Sequence, residues 1–153
     1  MIDVEIEDPA WTQALPDAEA LVRVAAMAAL KALHPCSAKD ERSVTVLLTD
    51  DEAVRDLNAR FRHQDKPTNV LSFPAPANPQ RFLGDVALAY GVCAREAVEQ
   101  AKPLADHLRH LVAHGVLHLL GYDHISDDEA LAMEGLERAI LAGLGIADPY
   151  EAR

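Results

Sequence analysis

Hydrophobic residues recur along the chain at two spacings that predict a mixture of strands and helices. Residues 1–7 alternate Ile2, Val4 and Ile6 with acidic positions, which predicts a half-buried strand. Residues 43–48 form an apolar run that predicts a central strand, because both of its faces would be buried. Two further strands are predicted at 69–73 and 83–89, nearly in tandem.

Apolar positions at helical spacing predict five helices between and after these strands. The first opens at 16–19 and is stopped by Pro35, and the second follows a cap at Thr49 or Asp50. The others are predicted at 94–101, from 103 to about 120, and from a capping-box pattern that begins at Ser126. About four strands and five helices in this order predict an α/β (α+β) fold with a mixed sheet, as a single domain over 1–153.

Composition narrows the classes of function. The chain has 153 residues, and 14 basic against 25 acidic side chains give a net charge of −11. A chain this acidic does not bind nucleic acid by bulk attraction, so we expect no DNA binding, and any RNA binding requires a local basic patch or a metal. The acidic start and the short apolar runs predict neither a secretory signal nor a membrane partner. We therefore expect a cytoplasmic protein in which Cys36 and Cys93 are reduced.

Histidines near the end of the fourth predicted helix form a pattern typical of metal ligands. His114 and His118 lie one helical turn apart, and Gly121 can reverse the chain so that His124 returns toward them. Three imidazoles with one open position predict one catalytic Zn²⁺ per chain. The preceding His107 and His110 are interpreted as polar residues near the site or at the surface.

The histidine spacing alone leaves two interpretations of the metal site open. The pattern resembles that of metzincin proteases, but Gly115 occupies the position of their glutamate general base. The second alternative is a non-catalytic assembly factor that uses its metal structurally. If the zinc only stabilises the fold, its removal by a chelator would unfold the domain.

Longer motifs resemble those of the YbeY family of bacterial ribosomal-RNA maturation endoribonucleases. They read HGVLHLLGYDH at 114–124, LNARFRHQDKPTNVLSFP at 57–74, LGDV at 83–86 and DPY at 148–150. Phe61 stands where we expect Tyr, and Asn69 where Asp is common. The resemblance implies a zinc-dependent, single-strand-specific endoribonuclease that acts in small-subunit rRNA 3′-end maturation and in ribosome quality control. It also implies His114, His118 and His124 as metal ligands and Arg62 as a required basic residue.

The chemistry expected of these residues is phosphodiester cleavage in ribosomal RNA. Arg62 can donate hydrogen bonds to the phosphate oxygens on which negative charge develops during cleavage. It can also be an ordinary surface arginine, because the helix dipole stabilises a positive charge at the C-terminal end of a helix. The basic stretch 55–66 could contact other phosphates, and Asp85 or Asp123 could orient a ligand imidazole. Expected partners are single-stranded RNA and the small ribosomal subunit, with a ribosomal protein or a GTPase as a candidate.

Overall fold

A four-stranded sheet with helices on both faces is seen in the computed structural model, which describes residues 2–32, 42–122 and 126–150. The strands are β1 (Ile2–Ile6), β2 (Ser43–Thr49), β3 (Val70–Pro74) and β4 (Phe82–Ala89). The helices are α1 (Ala10–Ala14), α2 (Ala18–Lys31), α3 (Asp51–Arg62), α4 (Tyr90–Glu99), α5 (Leu104–Leu119) and α6 (Asp127–Gly143). The predicted α/β (α+β) class is confirmed, with one helix more than expected.

The sheet is mixed, in the order β1-β2-β4-β3. β1 and β4 both run parallel to β2, whereas β3 is antiparallel to β4. β2 is therefore central, as its apolar run predicts. The antiparallel pair explains why two predicted strands follow each other without a helix between them.

Helix α5 lies at the centre of the packing. It packs beside α2 on one face of the sheet, with α6 against both helices and α3 on the opposite face against β3 and β4. Nine of the sixteen residues of α5 are buried. Side chains that project from different sides of α5 therefore contact different elements, which matters for its histidines.

The additional helix, α1, was not predicted because five residues carry too little periodicity. Its Trp11 is completely buried, and the indole Nε1 donates to the carbonyl of Thr49 at 3.0 Å. A tertiary contact, rather than a local pattern, holds this turn in place.

Helix α4 begins at Tyr90, four residues before the predicted start. The carboxylate of Asp51 accepts a hydrogen bond from the backbone amide of Val92 at 3.0 Å. A Cβ on Gly91 would lie 2.4 Å from Asp51 Oδ2, so glycine permits this approach. The group that stabilises the start of α4 comes from α3, and local sequence could not reveal it.

The predicted helix caps are confirmed in α3 and α6. Asp50 accepts from the amide of Ala53 at 2.7 Å, and Ser126 accepts from the amide of Glu129 at 3.2 Å. The predicted stop at Pro35 lies outside the described residues. Among the helices that are described, none has the length and apolar character needed to cross a membrane.

Candidate metal centre

Helix α5 ends at a glycine with a positive φ, Gly121, as predicted. Gly121 has a φ of 99°, and its amide donates to the carbonyl of His118 at 3.0 Å. The amide of Tyr122 donates to the carbonyl of Leu117, also at 3.0 Å. These two bonds form a Schellman motif, in which the position with positive φ is usually occupied by glycine.

The imidazoles of His114 and His118 face each other across one helical turn. Their Nε2 atoms are 3.1 Å apart, and the ring planes are tilted by 79°. The structure therefore brings together the two helical histidines, as their spacing predicts. His124, the third predicted ligand, lies outside the described residues.

The other nitrogen of each ring is engaged by a hydrogen-bond acceptor. Nδ1 of His118 donates to the carbonyl of Tyr122 at 2.9 Å, and Nδ1 of His114 donates to the carboxylate of Glu137. A neutral ring that donates through Nδ1 has a lone pair on Nε2. With both rings neutral, the two Nε2 lone pairs would point toward the same place, an arrangement that a shared cation would stabilise.

The separation of these nitrogens fits zinc. Two nitrogens bound tetrahedrally at about 2.0–2.1 Å from a zinc ion lie about 3.3–3.4 Å apart. The 3.1 Å between the Nε2 atoms of His114 and His118 is close to this value. Imidazole nitrogens held in the correct tautomer are also the donors that zinc prefers.

Glu137 of α6 lies behind His114 and was missed by the sequence analysis. Its side chain is completely buried, and Oε1 accepts from Nδ1 of His114. Its Oε2 accepts from the hydroxyl of Tyr150 and lies 3.3 Å from Nε2 of His110. Tyr150, which the sequence indicated only as part of the DPY motif, therefore lies next to the site.

The carboxylate of Glu137 is ionised in this environment. Burial alone would raise its pKa, but hydrogen bonds from His110, His114 and Tyr150 outweigh burial and lower the pKa to about 2. The sequence carried one signal for this residue. Glu137 lies among the buried positions Met133, Ile140 and Leu141 of the helix, where a charged residue is unusual.

His107 and His110 both lie inside the protein. His107 is only 3% exposed and pairs with Glu96 at 3.0 Å, so the surface alternative is wrong for this residue. His110 adjoins the site through Glu137, as the other alternative predicts. Ligand atoms of His110, His114 and Glu137 also lie within 4.8 Å of one another, which offers a second arrangement for a cation.

A cleft of about 490 Å³ opens between β3 and the end of α5. Its lining includes both imidazoles, Tyr122 and Arg62. Arg62, the last residue of α3, donates through Nη2 to the carbonyl of Ser72 at 2.7 Å. Because this acceptor is neutral, Arg62 brings a positive charge into the cleft that contains the histidines.

The rest of the basic stretch 55–66 is partly neutralised. Arg55 pairs with Asp65 at 2.8 Å, and Arg60 pairs with Asp56 at 3.4 Å. The hydrogen bond from Arg55 lowers the pKa of the Asp65 carboxyl. The stretch therefore offers less positive charge to phosphates than its composition suggests.

Asp85 does not orient the imidazole of His114 or of His118. Val86 packs toward Gly115 of α5, so the preceding side chain on the strand points to the opposite face of the sheet. There Asp85 lines a separate groove of about 780 Å³, and burial, aided by Glu5, raises its pKa. The prediction is therefore wrong for Asp85 with respect to the two helical histidines, and both Asp123 and His124 lie outside the described residues.

Comparisons with known proteins agree with this architecture. A family model for endoribonuclease YbeY matches residues 5–145. Endoribonuclease YbeY of Paramagnetospirillum magneticum is 52% identical, over 97% of this chain and 94% of the relative. That of Bradyrhizobium diazoefficiens is 48% identical, over 100% of this chain and 86% of the relative. The chain belongs to the YbeY endoribonuclease family, as its motifs predict.

A solved structure shows the same fold. The solution structure of TM1509 from Thermotoga maritima superimposes with a TM-score of 0.57 and is 22% identical in sequence. The match covers 99% of this chain and 100% of the other. The two chains thus share the same overall fold.

Proposed function

We propose that the protein is a zinc-dependent endoribonuclease that hydrolyses phosphodiester bonds in single-stranded RNA. Its proposed role is 3′-end maturation of small-subunit ribosomal RNA, together with ribosome quality control. Membership of an endoribonuclease family supports the reaction class. The observation that carries the metal-dependent mechanism is the 3.1 Å approach of two imidazole Nε2 atoms in a cleft that also contains Arg62.

The proposed ligands are His114, His118 and His124, which hold one Zn²⁺ per chain. The third rests on sequence spacing and on the family motif. A bound zinc ion supplies Lewis acidity and lowers the pKa of coordinated water. The backbone carbonyl of Tyr122 and the carboxylate of Glu137 keep a lone pair of each helical ring directed at the same place.

Arg62 is the proposed phosphate-binding residue. Cleavage adds negative charge to the non-bridging oxygens of the phosphate, and a guanidinium can donate two parallel hydrogen bonds to such oxygens. The hydrogen bond to Ser72 and the position of the guanidinium 5.9 Å from the centre of the Phe73 ring restrain the side chain. Arg62 can therefore stabilise the transition state without a large loss of side-chain entropy.

Recognition of ribosomal RNA is proposed to involve a protein partner. With a net charge of −11 and with Arg55 and Arg60 already paired, the protein itself offers little general attraction for RNA. The small ribosomal subunit, through a ribosomal protein or a GTPase, would present the strand in the cytoplasm. Selection of the cleavage site would then depend on how the ribosomal subunit presents the RNA strand rather than on contacts between the cleft and the bases.

A comparison of histidine variants tests the location of the metal. We expect His118→Ala to lose both stoichiometric zinc and cleavage of a single-stranded RNA, while His110→Ala retains zinc. Zinc retained in His118→Ala but lost in His110→Ala would place the ion at His110, His114 and Glu137 and overturn the proposed centre. Elemental analysis of the purified variants supplies this measurement.

A comparison of substrates separates the alternative functions. Single-stranded RNA, the matching duplex and an unstructured peptide are incubated side by side with the zinc-loaded protein. We expect cleavage of the single strand alone. Peptide hydrolysis without RNA cleavage would favour a metalloprotease. Unfolding on chelation, without cleavage of any substrate, would favour an assembly factor with structural zinc.

A further inference from the structure

We propose that Glu137, held in place by Tyr150, is a positioning residue that fixes the tautomer and the orientation of His114. This inference rests on the proposed function, because it assigns an outer layer to the same metal centre. It adds two residues from the C-terminal part of the chain to a site whose proposed ligands come from α5 and the segment after it.

The location of Glu137 points to a role beyond packing. Met133 and Leu141 flank it at four residues on either side and are buried, so an apolar residue would suit this position of α6. A completely buried carboxylate is costly unless its oxygens are paired, and replacement of buried ion pairs by apolar residues is often neutral or stabilising. Both oxygens of Glu137 are used, one on His114 and one on Tyr150.

The hydrogen bond from His114 determines which nitrogen can bind a metal. With its proton on Nδ1 toward Glu137, the ring presents the Nε2 lone pair to His118. Without an acceptor behind the ring, the proton could move to Nε2 and block the ligand position. A carboxylate at Nδ1 also makes the imidazole a stronger donor, and loss of such partners typically weakens metal binding by about 10- to 100-fold.

Tyr150 is itself anchored by the neighbour of Glu137. Arg138 forms a salt bridge with Asp148 at 3.0 Å, and its guanidinium lies 5.5 Å from the centre of the Tyr150 ring. Asp148 also accepts from the amide of Tyr150 at 2.8 Å. One turn of α6 thus carries both the carboxylate and the arginine that positions the tyrosine against it.

The experiment measures zinc affinity by competition with a chromogenic chelator, together with unfolding in urea. We expect Glu137→Leu to weaken zinc binding by about 10- to 100-fold. We expect Tyr150→Phe, which removes one hydroxyl, to weaken it by about two- to tenfold, as the loss of one hydrogen bond would. Glu137→Gln keeps an oxygen that can accept from His114 and should retain more affinity than Glu137→Leu.

A control variant separates positioning from general destabilisation. Leu141 is completely buried one turn further along α6, so Leu141→Ala should lower the free energy of unfolding while leaving zinc affinity at the wild-type value. Wild-type zinc affinity in folded Glu137→Leu and Tyr150→Phe would overturn the proposal. So would an equal loss of affinity in Leu141→Ala, because the effect would then follow stability.

Imidazole ¹⁵N NMR of the metal-stripped protein tests the inference independently of zinc. At a pH where the ring is neutral, we expect the proton of His114 on Nδ1 in the wild type and a shift toward Nε2 in Glu137→Leu. A wild-type proton on Nε2 would overturn the inference. Zinc retained in His118→Ala would instead contradict the proposed metal centre while leaving this tautomer measurement valid.

Discussion

The hydroxyl of Ser72 donates a 3.0 Å hydrogen bond to the carbonyl of Gly115, which ties β3 to α5 directly beside His114. A Cβ on Gly115 would lie 2.7 Å from Cγ1 of Val86 and 3.2 Å from the Ser72 hydroxyl oxygen. The residue after His114 therefore faces the sheet rather than the cleft. A glutamate base at this position, as in metzincin proteases, would clash with the sheet, which weighs against that alternative.

Gly115→Ala should destabilise the protein by about 1–3 kcal/mol, because an extra methyl group would overpack the contact between α5 and the sheet. Urea unfolding measures the change. Gly135→Ala is the matched control, since a Cβ there meets nothing within 4 Å. That variant should gain about 0.5–1 kcal/mol, as expected inside a helix. Equal stability of the two variants would contradict the close approach at Gly115.

Reversal of charge at Arg62 should lower RNA cleavage without affecting the fold. We expect Arg62→Glu to retain zinc and to lose about 10²- to 10³-fold in kcat, because it removes a donor to the developing phosphate charge. Arg60→Glu makes the same change in net charge on an exposed residue of the same helix that pairs with Asp56. Cleavage rates that fall equally in both variants would indicate a general electrostatic effect.

Local patterns predicted the fold where each element is stabilised by its own sequence. The apolar run of β2 indicated its central place, and Asp50 and Ser126 marked the starts of two helices. Local patterns did not predict an element whose position depends on a contact with a residue distant in the sequence. Trp11 fixes α1 through the carbonyl of Thr49, and no local periodicity records that contact.

The same distinction explains what was missed in the candidate site. His114 and His118 could be paired from spacing alone, because one helical turn brings them together. Glu137 and Tyr150 reach His114 only through the packing of α6 and the C-terminal segment against α5. Asp85 was placed wrongly because sequence spacing does not show which face of a strand meets the helix.

Cys93 should be unreactive in the folded protein. Its side chain is completely buried, and burial raises the pKa of the thiol, so little thiolate is present at neutral pH. We expect no reaction of a Cys36→Ser variant with Ellman's reagent until urea unfolds the chain. Cys36 is removed so that Cys93 is the single thiol of the variant. A fast reaction of the folded variant would show that Cys93 is accessible.

His107 should make the stability of the protein depend on pH. Burial lowers its pKa and outweighs the hydrogen bond to Glu96, which favours the charged form. Among the described residues nothing accepts a hydrogen bond from Nδ1 of His107, so the second proton of a charged ring would be buried without a partner. The folded protein therefore keeps this ring neutral at a pH where the unfolded chain has already bound the proton.

The sign of the effect follows from proton binding. Below about pH 6.5 the unfolded chain binds more protons at His107 than the folded protein does, so the free energy of unfolding falls as the pH falls. We expect His107→Gln, which cannot titrate, to lose less stability than the wild type between about pH 7.5 and about pH 5.5 in urea unfolding. The difference in slope between the two proteins therefore reports the titration of His107 together with its coupling to Glu96 and His110. Parallel slopes would show that the ring of His107 takes up its proton as readily in the fold as in the unfolded chain.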